Sequence, residues 1–136
     1  GHTYGPGMLR TDKRVLVELI MKGLNSDVKL LDNGKAKKTF GYIADVTAMF
    51  INIITRGKRL TYNTTGRSHV SISLLAKTIA NFLNKKVIYG KSNSRHVGTG
   101  QDKINIISKN YHSDFKKHTY IKLKEGIKRT ILWFLG

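Results

Sequence analysis

Apolar residues recur at helical spacing in four stretches of the chain. Val15, Leu16, Leu19 and Ile20 form the first; Val46, Met49, Phe50, Ile53 and Ile54 the second. Ile72, Leu75, Ala76, Ile79, Ala80 and Leu83 form the third, and Leu123, Ile127, Ile131, Phe134 and Leu135 the fourth. Each set fits one face of a helix with 3.6 residues per turn. The first helix is expected to stop at Gly23 as its C′ glycine. Asp45 is expected to open the second helix, its carboxylate capping the first turn and complementing the dipole, with Gly57 closing it. Ser71 is the predicted cap of the third, and Ser108 of a brief helix through Tyr111.

Between these lie short β-prone runs: Val28 to Leu31, Thr39 to Ile43, Leu60 to Asn63 and Lys86 to Tyr89. Gly5-Pro6-Gly7 and Asp32-Asn33-Gly34 read as turns. Residues 90 to 103 are polar and read as a loop, and Ile104 to Ile107 as a short apolar piece. No repeat or linker divides the chain, so residues 1–136 are expected to form one domain. It is of α+β, or mixed α/β, class, and its strands are too scattered to complete an ordinary α/β domain. Too little sequence precedes the Gly-Pro-Gly turn for a natural domain start.

Composition changes this picture in one respect. The 136 residues are 40% apolar with a single proline, as a folded domain requires. The absence of cysteine excludes disulfides and thiolate metal sites. No apolar run approaches the roughly 20 residues of a membrane helix, and Glu18 breaks the longest, so the expectation is a cytoplasmic chain with no membrane contact. Charge is the outlier: 25 Lys and Arg against 8 Asp and Glu, a formal +17. The basic residues are spread, with small groups at 35–38, 56–59 and 122–129. Dispersed charge of this kind gives non-specific affinity for nucleic acid without a reading surface; a stand-alone polyanion-binding module is the rival class.

Candidate chemistry is sparse. There is no GxGxxG or P-loop, because Gly98-Thr99-Gly100 continues to Lys103. The five histidines make no HExxH or i, i+4 pair, and eight carboxylates are too dispersed to nominate an acid/base pair. Asn63-Thr64-Thr65 is a chance sequon. Tyr120 and Lys124 have the spacing of a Tyr-x-x-x-Lys dyad but precede the last helix, which marks the match as coincidence. What remains is Lys35 to Ile54, a cationic strand end leading into a helix start, a place to hold an anion.

Taken together, several motifs resemble the second half of an extended short-chain dehydrogenase/reductase, the NAD-dependent epimerases, dehydratases and decarboxylases of nucleotide sugars. They are HTYGPGM at 2–8, DKRV at 12–15, GKAKKTFGYIADV at 34–46, VSISLLA at 70–76 and LKEGIKRTI at 123–131. The family's glycine-rich fingerprint, catalytic Ser/Thr and Tyr-x-x-x-Lys lie upstream of the YGPG turn. The resemblance therefore implies a substrate-binding lobe without its Rossmann core, catalytically incomplete alone, for a UDP-sugar in preference to others. NAD or NADP would belong to the parent enzyme and would not bind this part well. The family's loop near nicotinamide and sugar falls on Pro6 and Gly7. The helix bordering the nucleotide starts at Arg14 and Val15. Lys38 stands where the family has an arginine facing the diphosphate, and supplies a point charge in place of a fork. Tyr42 and Asp45 match the Y-x-x-D pattern, in a structural or a functional role. Arg95 or Lys103 fills the place of a second phosphate-binding arginine. Leu74 replaces the usual N3 glutamate, losing a capping box.

Overall fold

The computed structural model describes residues 1–91, 108–115 and 119–136. Their elements are β1 (His2–Tyr4), α1 (Val15–Asn25), β2 (Val28–Lys29), β3 (Lys37–Tyr42), α2 (Ile43–Arg56), β4 (Ser68–Ser71), α3 (Ile72–Leu83), β5 (Val87–Ile88), α4 (Lys109–Asp114) and α5 (Leu123–Leu135). Two small sheets result. In one, β3 is central, parallel to β1 (Tyr4 opposite Tyr42) and antiparallel to β4 (Phe40 opposite Ser68). In the other, β2 and β5 pair in parallel. This is the mixed architecture with few strands that the patterning predicts, with no Rossmann core.

Alternation along β3 divides its side chains between two faces. Phe40 and Tyr42 point into a core shared with Tyr4, with Leu16 and Ile20 of α1, with Leu75 and Ile79 of α3, and with Ile127 and Phe134 of α5. Burying each large aliphatic side chain of this set stabilises by about 1.5–3 kcal/mol. Gly126 admits the aromatic pair to α5: a Cβ there would lie 2.9 Å from Tyr42 Cδ2 and 3.0 Å from Tyr4 Cζ. Any larger residue would push the helix off the sheet.

Several local expectations are corrected. Gly23 does not end α1, which continues to Asn25 with Ser26 as its C-cap. It is buried, and a Cβ there would meet Leu83 Cδ1 at 2.7 Å and Val28 Cγ2 at 3.2 Å. The glycine serves the close approach of α1 to α3, not a helix stop. Residues 60–63 form no strand. Leu60 is fully exposed, and the Tyr62 hydroxyl accepts the backbone N–H groups of Lys58 and Arg59 while donating to Asp114 Oδ2 at 2.6 Å. The β3 partner is instead Ser68–Ser71, polar enough to escape a search for apolar runs.

The caps divide in the same way. Ser71 Oγ accepts the Leu74 N–H at 3.1 Å, as expected for the start of α3. Asp45 does not cap α2, which begins two residues earlier with Tyr42 at the N-cap and no side-chain cap, but it does lie in the first turn, where its carboxylate complements the dipole as expected. Its carboxylate accepts the N–H of Ile121 at 3.0 Å, fastening the segment before α5. Ser108 flanks α4 without capping it; its Oγ accepts from Thr65 N at 3.1 Å. The expected loop over 90–103 and the apolar piece 104–107 lie largely or wholly outside the described residues.

Candidate functional site: a cationic strand end beside an aromatic cavity

Lys38, half-buried, opens the inward face of β3 one alternation before Phe40. The backbone pairing that fixes it is Lys38 opposite Val70 of β4, while β1 on the other side begins with His2 opposite Phe40. The His2 ring lies 5.7 Å from the Phe40 ring. Burial lowers the His2 pKa, and the charges of Lys38, the terminal ammonium and Arg14 lower it further. The imidazole is therefore neutral at pH 7 within a field of fixed positive charge. Among the described residues no carboxylate forms an ion pair with Lys38.

Arg14 reaches this corner from the N-terminus of α1. It donates to the Thr3 carbonyl of β1 at 2.8 Å and is gripped by Asp12 through Nε (2.9 Å to Oδ2) and Nη2 (2.5 Å). The hydrogen bonds from Arg14 hold the Asp12 carboxyl below its ordinary pKa. Asp12 thus fixes the guanidinium in place while neutralising much of its charge, whereas Lys38 has no carboxylate partner among the described residues.

The other predicted residues are spread through the same lobe. Val15 is partly buried against the core at the first position of α1. Tyr42 is 5% exposed and packs edge-on against Tyr4, with ring centroids 5.7 Å apart. Pro6 and Gly7 form an exposed turn beyond the end of β1, with Gly7 at φ +94°. The turn and Lys38 lie at opposite ends of the parallel β1–β3 pair. Lys38 and Tyr42 alone are separated by about 13 Å at 3.3 Å per residue. Arg95 and Lys103 lie outside the described residues.

Between these two ends is a cavity of about 280 Å³. Tyr4, Phe40, Tyr42 and Tyr120 give it aromatic walls, Asp45 and Ser68 add polar groups, and Arg67 and Lys122 stand at its mouth. Arg67 is exposed, its guanidinium 5.4 Å from the centroid of the Tyr120 ring. The Tyr120 hydroxyl bonds His112 Nε2 at 3.0 Å, and burial pushes its pKa up to about 12. Lys124 Nζ sits over the Phe82 ring on α3. A phenol made less acidic, with the ammonium engaged elsewhere, is unlike a proton-transfer dyad, in agreement with the reading of Tyr120 and Lys124 as coincidence. Neither Arg67 nor Lys122 was visible as a site residue in sequence. They are 55 positions apart, and tertiary contacts, among them the bond from Ile121 to Asp45 and the packing of Ile121 and Leu123 on the core, bring the second segment beside β3.

The described residues hold no group of three His, Asp or Glu side chains able to bind a metal. Nor do they hold a helix long and apolar enough to cross a membrane.

The described residues form two small sheets packed with helices, and this fold matches part of the chain in larger solved proteins. Solved structures of NAD-dependent sugar dehydratases and epimerases share it. The chain is similar to a dTDP-glucose 4,6-dehydratase from Bacillus anthracis solved with NAD (TM-score 0.80, 15% identity, 98% of this chain and 42% of that one). It is similar to a GDP-L-fucose synthetase from Naegleria fowleri (TM-score 0.80, 20% identity, 98% and 43%). It is also similar to a UDP-glucuronic acid 4-epimerase from Bacillus cereus in complex with UDP-glucuronic acid and NAD (TM-score 0.80, 15% identity, 98% and 43%). The chain thus spans less than half the length of these proteins, and identities this low speak to the fold alone. No family model matches the chain, and no curated protein matches it.

Proposed function

We propose that this chain is the nucleotide-sugar-binding part of an NAD- or NADP-dependent epimerase, dehydratase or decarboxylase, with a UDP-sugar as its ligand. The observation that carries the reading is Lys38, a cation without a carboxylate partner among the described residues, set beside Arg14 and a neutral His2. This is the position that the family resemblance gives to the diphosphate contact. A dianionic diphosphate placed there gains attraction from Lys38 without displacing any ion pair.

In the parent enzyme the reaction would be oxidation of a ring carbon of the sugar, chemistry at the resulting ketone, and re-reduction. The cofactor supplies that chemistry. This chain contributes charge and walls: it holds and orients the sugar nucleotide against a Rossmann domain that carries the cofactor site and the proton-transfer residues. Pro6 and Gly7 are the part of the lobe nearest the nicotinamide in this arrangement. The chain alone is catalytically incomplete, works in the cytoplasm, and binds nucleic acid only non-specifically.

Titration of UDP-glucose into the chain by calorimetry tests this reading. Lys38→Ala is expected to weaken binding about tenfold, and Lys38→Arg to preserve or tighten it through bidentate contact. With NAD added, no turnover of a sugar-nucleotide panel is expected. Turnover comparable to a whole enzyme, or UDP-glucose binding indifferent to Lys38, contradicts the proposal. Oligonucleotide binding with sequence preference and a steep salt slope would favour the polyanion-binding module instead.

A further inference from the structure

The cavity walled by Tyr4, Phe40, Tyr42 and Tyr120 carries more information than the fold likeness does. Its volume, about 280 Å³, lies just below the roughly 300–1,000 Å³ of pockets for small organic ligands. One sugar ring with a substituent fits that space, and a dinucleotide does not. Its location is equally restrictive. Phe40, on its wall, is two residues from Lys38 on the same face of β3, about 7 Å along the strand. That is the reach from a diphosphate to the ring it carries.

The charges at the cavity's mouth do not match a neutral sugar. Arg67 and Lys122 both line it, and among the described residues neither forms an ion pair. Among the described lining residues Asp45 is the one carboxylate; it is 6% exposed, and its Oδ2 accepts the Ile121 N–H. Among the described residues, two cations against one engaged carboxylate leave the mouth net positive. The cation–π contact with Tyr120, 5.4 Å from guanidinium carbon to ring centroid, holds the exposed Arg67 fork over an aromatic wall. A planar guanidinium in that setting pairs best with a carboxylate, which it meets through two parallel hydrogen bonds.

The geometry points to a lobe that selects nucleotide sugars whose sugar bears a carboxylate, a hexuronate, with Arg67 and Lys122 as the residues that recognise it. The ring body lies against Tyr4, Phe40, Tyr42 and Tyr120, and the diphosphate extends toward Lys38. This inference rests on the diphosphate reading of Lys38, and its test separates the two. Burial raises the pKa of both Tyr4 and Tyr120, so these walls stay uncharged at neutral pH.

Calorimetric titrations with UDP-glucuronate, UDP-glucose and free glucuronate, on the chain and on Arg67→Ala, Lys122→Ala and Lys38→Ala, decide the matter. UDP-glucuronate is expected to bind about tenfold more tightly than UDP-glucose, the worth of one charge-assisted contact. Arg67→Ala is expected to erase that difference and Lys122→Ala to reduce it, with UDP-glucose affinity unchanged in both. Lys38→Ala is expected to weaken both nucleotide sugars by the same factor and to leave glucuronate binding as it was. Equal affinities for the two nucleotide sugars, or a preference that survives both Arg67→Ala and Lys122→Ala, overturns the inference while the Lys38 reading stands. Loss of Lys38 dependence with glucuronate binding still tied to Arg67 overturns the diphosphate reading instead. Both arginine and lysine sites are exposed, so the variants are expected to fold; unchanged circular dichroism confirms it.

Discussion

Helices α2 and α3 follow strands β3 and β4 in the same way, and both show an apolar face at helical spacing. Their fates differ. In α3 the face is covered: Leu75, Ala76 and Ile79 are 0% exposed. In α2 only the first part is covered, by Val46 and Met49, while Phe50 is 51%, Ile51 57% and Ile54 82% exposed. Periodicity reports that a helix has an apolar side, but it does not report where the partner of that side is. The same periodic signal therefore stands on a helix whose outer turns are exposed.

The comparison can be broken experimentally, beginning with the helix that is covered. Ile79→Ala removes side-chain volume from the core between α1 and α3, and is expected to cost about 2–5 kcal/mol in urea unfolding. A loss below about 1 kcal/mol would mean that α3 is not the packed helix. Ser71→Ala removes the side-chain acceptor for Leu74 N–H and is expected to cost about 1 kcal/mol. No equivalent loss is available in α2, whose N-cap Tyr42 makes no side-chain cap. At the small end, Phe50→Ser and Ile54→Ser are expected to change stability by no more than about 0.5 kcal/mol. They should lower binding of a hydrophobic dye; a cost as large as that of Ile79→Ala would show that the α2 face is buried after all.

The same contrast explains what sequence could and could not reveal. The four long helices were legible because each repeats its apolar spacing over several turns. Of the polar residues placed to cap or open a helix, Ser71 does so, whereas Asp45 and Ser108 spend their oxygens on Ile121 and Thr65. A side chain that chooses between its own helix and a segment 43 or 76 residues away leaves no local trace of the choice. Gly23 was misread for a related reason, since a glycine needed for close helix approach looks the same in sequence as one that ends a helix. Strand β4 was missed because Ser68–Ser71 has little apolar content and gains its place by pairing with β3.

The candidate site was half legible. Lys38 and Arg14 were singled out by resemblance, and the fold brings both into the electrostatic surroundings of His2. Tyr42 and Val15 are largely packing residues in this lobe. Arg67 and Lys122 had no motif to announce them; their proximity depends on β4 turning back along β3 and on Asp45 fixing the approach to α5.

The central claim, that the Lys38 end of β3 holds the diphosphate of a sugar nucleotide, is tested most directly by amide NMR during a UDP-glucose titration. Saturable shifts are expected at Lys38, at His2 and Thr3 of β1 and at Arg14, with the exposed face of α2 silent. Shifts that are absent, or spread equally over the basic groups at 35–38, 56–59 and 122–129 and abolished by moderate salt, would contradict it.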